Sequence, residues 1–203
     1  VNPVAGIAVR DLYDRLGVKN IQYNDSVQVG HAYVTLDQGG HCETSGSPYI
    51  VDCDLDEAGN ILAHLIGDLK PKATRLTGRV IEFKQTEFAR RPETIGMADT
   101  GYVFVPEACS EGKPCKLHVA LHGCRQNAAS IGTRFVTDTG YLLWADSNNI
   151  VVLFPQTTAR HDFSVANPNG CWNWWGYGDD PHYHTRIGYQ IRAIRGMVDR
   201  IGR

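Results

Sequence analysis

One stretch decides the fold of this chain: Lys116-Leu117-His118-Val119-Ala120-Leu121-His122-Gly123-Cys124-Arg125-Gln126-Asn127. Apolar residues alternate from Leu117 to Leu121, which predicts a short, mostly buried strand. Gly123 then permits a sharp backbone turn that other residues resist. A strand that ends in a tight turn presents backbone N–H groups at the carboxyl edge of a sheet, where α/β folds place their ligands. Such fixed donors are suited to an oxyanion hole, and an ordinary strand followed by a glycine turn is the alternative interpretation.

The rest of the chain alternates between helical and strand patterns. Apolar periodicity predicts helices over residues 3–16, from Asp54 or Asp56 to Gly67, around 135–144 and over 187–201. Strands are predicted at 21–23, 80–83, 102–105 and 150–154. The polar span between 83 and 102 is predicted to be a solvated loop. This alternation indicates an α/β protein with a largely parallel sheet, and no shift in composition separates two domains.

The composition limits which cellular compartments and binding partners are expected for this protein. The 203 residues are 42% hydrophobic and 21% charged, as expected for a globular domain. A net charge of −2 gives no reason to expect nucleic acid or an anionic membrane as a partner. The sequence has no run of about 18 apolar residues, so no transmembrane helix is predicted. Six cysteines favour disulfides and an oxidising compartment, and a metal site is the weaker alternative because no Cys-x-x-Cys pair occurs.

Several segments together point to a known family. They are Leu121–Gln126, Asn169–Trp175, Val29–Ala32, Gly46–Ile50 and Asp52–Asp54. These segments resemble the extracellular poly(3-hydroxybutyrate) depolymerases, α/β-hydrolases related to feruloyl and acetylxylan esterases. The resemblance covers nearly the whole chain, and the two cysteine-bearing motifs are its most specific part. It implies an α/β-hydrolase fold, a serine esterase without a cofactor, and an extracellular or periplasmic location.

The resemblance also implies a role for individual residues. His31 would be the general base of the catalytic triad, and the N–H groups of Cys124 and Gly123 would form the oxyanion hole. Imidazole suits a base near neutral pH, because its unperturbed pKa is about 6.5. The residues expected near the substrate are His122, Trp172, Asn173, Trp174 and Trp175. Taken alone, His31 would be a surface or hydrogen-bonded histidine and the tryptophans would be core residues.

The pairing of the cysteines follows partly from the resemblance. The family pattern implies a disulfide between Cys124 and Cys171, which the sequence alone leaves as one of fifteen pairings. Cys109 and Cys115 bracket a short turn that a disulfide could close, which leaves Cys42 with Cys53. A polar loop with Asp179, Asp180, His182 and His184 has the composition of a metal site. The family is metal-independent and such loops are usually solvated, so no metal is expected.

The order of the motifs departs from that of most α/β-hydrolases, in which the histidine comes last. Here His31 precedes the turn at 122–124, as in the circularly permuted group of these depolymerases, with parts 1–67 and 79–203 joined at the permutation linker. The sequence contains no Gly-x-Ser-x-Gly, and Val1-Asn2-Pro3 looks like the tail of the family's Asp-x-x-Val-x-Pro motif. We therefore expect the chain to be the C-terminal part of a permuted catalytic domain. Its central nucleophile strand, its serine and its aspartate would lie upstream.

Three functions remain open at this stage. The first is a secreted serine esterase, monomeric when intact, that hydrolyses poly(3-hydroxybutyrate) or its oligomers. The second is a feruloyl or acetylxylan esterase with the same chemistry. The third is a non-catalytic polymer-binding module, which the absent nucleophile and the tryptophans favour. His31 beside an oxyanion turn argues against that module, since a binding protein has no need of them.

Overall fold

A computed structural model describes residues 3–162 and 165–202. In chain order the helices and strands are α1 Pro3–Arg15, β1 Tyr33–Thr35, β2 Gly40–His41, β3 Ile50–Asp52, α2 Glu57–Ile66, β4 Arg79–Lys84, β5 Thr100–Val105, α3 Glu107–Ser110, β6 Lys116–Val119, α4 Ala128–Ile131, α5 Arg134–Thr137, α6 Tyr141–Ser147, β7 Ile150–Phe154, β8 Arg160–Asp162, β9 Val165–Asn167 and α7 Tyr189–Ile201. Short 3-10 turns cover Gln85–Glu87 and Pro92–Ile95. None of the helices in the described part of the chain has the length and apolar character needed to span a membrane.

The central sheet has the strand order β4-β5-β7-β6. Its inner strand β7 is buried along its whole length, and all five of its residues are apolar. Strand β6 runs parallel to β7, whereas β4–β5 and β5–β7 are antiparallel. The prediction of a largely parallel sheet is therefore wrong for this sheet. The segment between β4 and β5 lacks the long helical crossover that a parallel pair requires, so the chain turns back antiparallel.

Helices cover both faces of the central sheet. On one face, α2, α5 and α6 pack around Leu62, Phe104, Phe135 and Phe154. On the other face, α7 packs against a smaller cluster that includes Leu153 and Met197. Neighbouring residues of β7 thus face opposite layers, as the strand geometry requires. A second, parallel sheet of order β1-β3-β2 lies beside α2 and carries the segment that follows His31.

Several predicted elements differ in the structure. Residues 21–23 form no strand. The apolar face of α1 does form, yet α1 buries no residue, and Leu12 is 55% exposed. The helical stretch around 135–144 is divided into α5 and α6 by Gly140, which has a φ of +85° that is unfavourable for other residues. The predicted solvated span includes buried Gln85 and Met97, because it folds against the segment just beyond the carboxyl end of β7.

Strand β6 is shorter than predicted and ends at Val119, so Leu121 lies beyond it and is 51% exposed. Strand β6 has β7 on one side and no strand on its other side among the described residues. The chain therefore leaves the end of β6 at an open edge of the sheet. The turn that follows this strand is the centre of the candidate site.

The six cysteines form the disulfides Cys42–Cys53, Cys109–Cys115 and Cys124–Cys171, which are the expected pairs. The first joins the ends of β2 and β3, close to the loop that carries His31. The second closes the loop before β6. The third ties the turn after β6 to the segment with the tryptophans, 47 residues further along the chain.

Candidate active site

His122 is enclosed at the start of the turn, with only 2% of its surface exposed. Its Nε2 accepts a hydrogen bond from the backbone N–H of Thr157 at 3.1 Å, which places the ring proton on Nδ1. That Nδ1–H donates to the carbonyl of Gly123 at 2.8 Å. Burial lowers the pKa of His122 to about 4, so the ring is neutral at physiological pH. Both ring nitrogens are therefore used inside the protein, and a contact between this side chain and a substrate stays a prediction.

The N–H of Gly123 is also used within the turn. It donates to Oε1 of Gln126 at 2.8 Å. A side chain at position 123 would place its Cβ 2.7 Å from the same oxygen, so this close approach requires glycine. The N–H of Cys124 has no hydrogen-bond partner among the described residues. Of the two expected oxyanion donors, Cys124 therefore has a free N–H group and Gly123 does not.

The turn is fastened to the tryptophan segment by contacts beyond the disulfide. The backbone N–H of Arg125 donates to the Asn169 carbonyl at 2.7 Å, and Nε of Arg125 donates to Oδ1 of Asn169 at 2.9 Å. The indole N–H of Trp172 donates to the carbonyl of His122 at 2.9 Å. These bonds fix the backbone on both sides of Cys124, which is the kind of preorganisation that an oxyanion donor needs.

His31 lies in an exposed loop immediately before β1. Its backbone N–H donates to Oγ of Ser45 at 2.7 Å. The N–H of the preceding residue, Gly30, donates to the carbonyl of Cys42 at 2.9 Å. A side chain on Gly30 would collide with the carbonyl of Thr44, so the loop lies close against its neighbour. The short segment between β2 and β3 thus holds the backbone at Gly30 and His31, through the Cys42 carbonyl and the Ser45 hydroxyl.

One cavity of about 420 Å³ brings His31 and the turn together. Its walls are mostly apolar and are formed by Val29, Gly30, His31, Ala32, Tyr33, Tyr49, Leu121, Gly123, Gln126 and Phe135. A pocket of this size with few polar groups is typical of a site for a small apolar ligand. His31 and the glycine of the turn are about ninety positions apart in the sequence, so only the fold could show that they share a cavity.

The tryptophan segment lies beside the cavity lining. Trp172 is half-buried, and its ring packs 5.3 Å from that of His122. Asn173 closes its own loop, since its Oδ1 accepts from the N–H groups of Gly176 and Tyr177. Trp174 and Trp175 are 69% and 40% exposed, and their rings lie 5.1 Å apart. None of these expected substrate residues is among those that line the cavity, so their contact with a substrate stays a prediction.

Comparison with known proteins finds relatives that are similar to this chain in sequence. No family model matches the chain. The chain is 46% identical over 199 residues to the poly(3-hydroxybutyrate) depolymerase of Delftia acidovorans, covering 96% of this chain and 38% of that protein. It is 40% identical over 197 residues to the polyhydroxybutyrate depolymerase of Talaromyces funiculosus, covering 90% of this chain and 56% of that protein. The chain is similar to polyhydroxybutyrate depolymerases.

Solved structures of such depolymerases give the same result for the fold. The crystal structure of the PHB depolymerase from Penicillium funiculosum superposes with a TM-score of 0.83 at 35% identity, covering 94% of this chain and 64% of that one. A PHB depolymerase complexed with an R3HB trimer superposes with a TM-score of 0.77 at 37% identity, covering 85% of this chain and 57% of that one. The predicted α/β-hydrolase-like fold is thereby confirmed. The chain spans only about two fifths to two thirds of each of these relatives.

Sequence reasoning missed several residues around the cavity. Gln126 was part of a quoted motif but had no role, although its spacing of three from Gly123 is that of a side chain folding back over a tight turn. Ser45 and Tyr49 lie in the segment after His31, and nothing local in the sequence indicates their hydrogen bonds. Leu121 and Phe135 complete the apolar wall. The sequence shows that these two residues are apolar, but it does not show which cavity they line.

Proposed function

We propose that this chain is part of a secreted carboxylic ester hydrolase that acts on poly(3-hydroxybutyrate) or its oligomers. The observation that carries the proposal is the shared cavity of His31 and the turn whose Cys124 N–H is free. The relative solved with an R3HB trimer supports a polyester of this type as substrate. The three disulfides support an oxidising, extracellular compartment.

In this proposal the nucleophilic serine and the acid of the triad lie in a segment outside these 203 residues. Two observations support it: the open edge of β6, and the limited part of each relative that the chain spans. Parts 1–67 and 79–203 would then be the two outer portions of a circularly permuted domain. The geometry of a triad does not depend on the order of its residues in the chain.

The reaction would proceed through an acyl-enzyme. The imidazole of His31 takes the proton of the serine hydroxyl as its oxygen attacks the ester carbonyl. The N–H of Cys124 donates to the oxyanion of the tetrahedral intermediate. His31 then protonates the leaving alkoxide oxygen, which departs as the hydroxyl end of one product. Water attacks the acyl-enzyme by the same route and releases the second product as an acid, so no cofactor is consumed.

His31→Ala in the full-length protein tests this function. Turnover of p-nitrophenyl butyrate and of polyester film should fall by several orders of magnitude, as in a protease that loses its triad histidine, on the order of 10⁶-fold. Adsorption to the film should persist, because binding does not need the base. His184→Ala, in an exposed loop, is the matched control and should retain full turnover. Substantial activity in His31→Ala would show that His31 is not the base.

A further inference from the structure

Gln126 is a buried residue whose side-chain amide is fully engaged, with 6% of its surface exposed. Its Oε1 accepts from the N–H of Gly123 at 2.8 Å, inside the turn. Its Nε2 donates to the carbonyl of Tyr49 at 2.8 Å and lies 3.4 Å from that of Pro48. One amide therefore joins the turn after β6 to the segment before β3.

The carbonyl of Tyr49 has a second donor. The backbone N–H of Tyr33 donates to it at 2.7 Å. Tyr33 begins β1, two residues after His31. A single carbonyl oxygen thus accepts hydrogen bonds from the strand that follows His31 and from the side chain that closes the oxyanion turn.

The other contacts of the turn are with segments that do not carry His31. The disulfide of Cys124 and the bonds of Arg125 to Asn169 tie it to the tryptophan segment. His122 ties it to Thr157. Two contacts link the turn to Tyr49, next to the loop of His31. One is the hydrogen bond from the buried Gln126 amide to the Tyr49 carbonyl. The other is an exposed contact of 3.3 Å between Nη1 of Arg125 and the Tyr49 hydroxyl. The buried amide is therefore the stronger of the two links.

We propose that Gln126 is a positioning residue that sets the distance between His31 and the N–H of Cys124. The proposal rests on the function proposed above. By holding the Gly123 N–H, Gln126 keeps the turn tight and leaves the next N–H free to face a reacting oxygen. By holding the Tyr49 carbonyl, it fixes that N–H relative to the loop of the base. A displacement of about 1 Å between catalytic groups can cost about 100-fold in rate, so a loss of this link should lower kcat.

The chain supplies a matched control in Gln85, which is 0% exposed. Its Nε2 donates to the carbonyls of Ala98 and Gln156 at 2.7 and 2.8 Å, and its Oε1 accepts from the N–H of Gln156 at 2.9 Å. Gln85 therefore makes the same set of bonds as Gln126, but it does not line the cavity of His31. Substitution at the two positions should cost similar stability and differ in its effect on catalysis.

The first experiment compares Gln126→Met with Gln85→Met in the full-length protein. Methionine keeps the length of the side chain and removes every hydrogen bond. Under conditions where circular dichroism shows both variants folded, kcat should fall about ten-fold or more in Gln126→Met, with KM within about two-fold of the parent. In Gln85→Met, kcat should stay near the parental value. Equal losses in the two variants, or an unchanged kcat in Gln126→Met, would overturn the proposal.

The second experiment uses Gln126→Glu and pH. A protonated carboxyl group can replace the amide, because its hydroxyl donates to the Tyr49 carbonyl and its carbonyl accepts from the Gly123 N–H. The carboxylate has no donor and would face the Tyr49 oxygen with negative charge. The ratio of kcat in Gln126→Glu to that of the parent should therefore decrease as pH rises, within the pH range where both proteins are folded. A ratio that does not change with pH would contradict positioning by this amide.

The His31→Ala variant separates this proposal from the proposed function. Full activity in His31→Ala would refute the proposed function and, with it, a role for Gln126 in setting the distance from that base. An inactive His31→Ala with a fully active Gln126→Met would refute the positioning role alone.

Discussion

His122 and Thr157 lie 35 positions apart in the sequence, and their hydrogen bond is buried. A neutral imidazole is required there, since a charged ring would have to donate from Nε2 towards an N–H group that is itself a donor. The histidine therefore contributes to the site by fixing the backbone of the oxyanion turn. The family resemblance implied a substrate contact for this residue. The sequence could not show which distant group would bind its side chain.

The buried state of His122 predicts a loss of stability in acid. Its pKa of about 4 in the folded protein lies below the value of 6.5 for an exposed imidazole, so the unfolded state takes up the proton first. The stabilisation is fully present above pH 6.5 and is lost as the pH falls towards 4. Between pH 7 and pH 5 it should decrease by at most about 2 kcal/mol. Burial also lowers the pKa of His118, which acts in the same direction.

Chemical denaturation of the full-length protein at pH 7 and pH 5 measures this effect. His122→Gln should be less stable than the parent at pH 7 and should show a flatter dependence on pH. His184→Gln changes an exposed histidine and should keep the parental dependence. If the free energy of unfolding changed with pH equally in the parent and in His122→Gln, another group would dominate the loss of stability in acid.

Ser45 offers a milder test of how the loop of His31 is positioned. Its Oγ accepts the backbone N–H of His31 at 2.7 Å. Removing one such bond costs about 1 kcal/mol, so Ser45→Ala should lower kcat about five-fold. Ser110→Ala removes an exposed hydroxyl that bonds the carbonyl of Glu107, in α3, and should leave kcat unchanged. An unchanged kcat in Ser45→Ala would show that the loop is held by its other contacts.

At the scale of elements, the elements with the strongest patterns were predicted well and the weaker ones were not. Strand β7 and helix α2 carry complete apolar patterns, and Asp56 caps α2 through the N–H of Gly59 as its position suggested. The stretch at 21–23 has too few residues to specify a strand without a partner. The apolar face of α1 was correctly assigned to a helix, but nothing in its periodicity could show that this face would be exposed.

The disulfides provide a prediction at this scale. Replacing Cys124 and Cys171 by alanine opens a loop of 47 residues and should cost about 4 kcal/mol in the chain-entropy model. Replacing Cys109 and Cys115 opens a loop of only 6 residues and should cost about 2 kcal/mol. Denaturant titration of both double variants measures the difference. The Cys124 pair should also lower kcat, since the turn loses a fastening. A smaller destabilisation for the Cys124 pair than for the Cys109 pair would contradict the loop-length account.

For the whole molecule, the sequence and its family resemblance predicted the α/β-hydrolase-like class and the three disulfide pairs. The circular permutation and the role of His31 as general base stay predictions. The sheet direction and the assignment of donors within the turn could not be predicted, because both depend on contacts between distant segments. Within residues 3–162 and 165–202, no strand covers the outer side of β6, and α1 has an exposed apolar face. Exposed strand edges and large exposed apolar faces are liabilities in an isolated domain.

The isolated 203-residue chain should therefore be inactive on p-nitrophenyl butyrate and prone to aggregate or to unfold partly. Each large aliphatic side chain left exposed forgoes about 1.5–3 kcal/mol, so about five of them forgo as much as the margin of about 5–15 kcal/mol that stabilises a typical domain. Size-exclusion chromatography and a thermal melt of the purified chain measure this. A soluble monomer with one cooperative transition would contradict the expectation that central strands come from outside this sequence.

The bond between Gln126 and Tyr49 spans 77 positions, and that between Trp172 and His122 spans 50. Contacts between distant segments form slowly, because the chain loses conformational entropy in closing the intervening loops before those contacts stabilise it. Secondary structure such as α2 and the β4–β5 pair is local and needs no such closure. During refolding, the cavity is thus expected to be completed late, after most of the regular backbone has formed. A newly synthesised molecule would therefore have its sheets and helices before His31 and the Cys124 N–H reach their final separation.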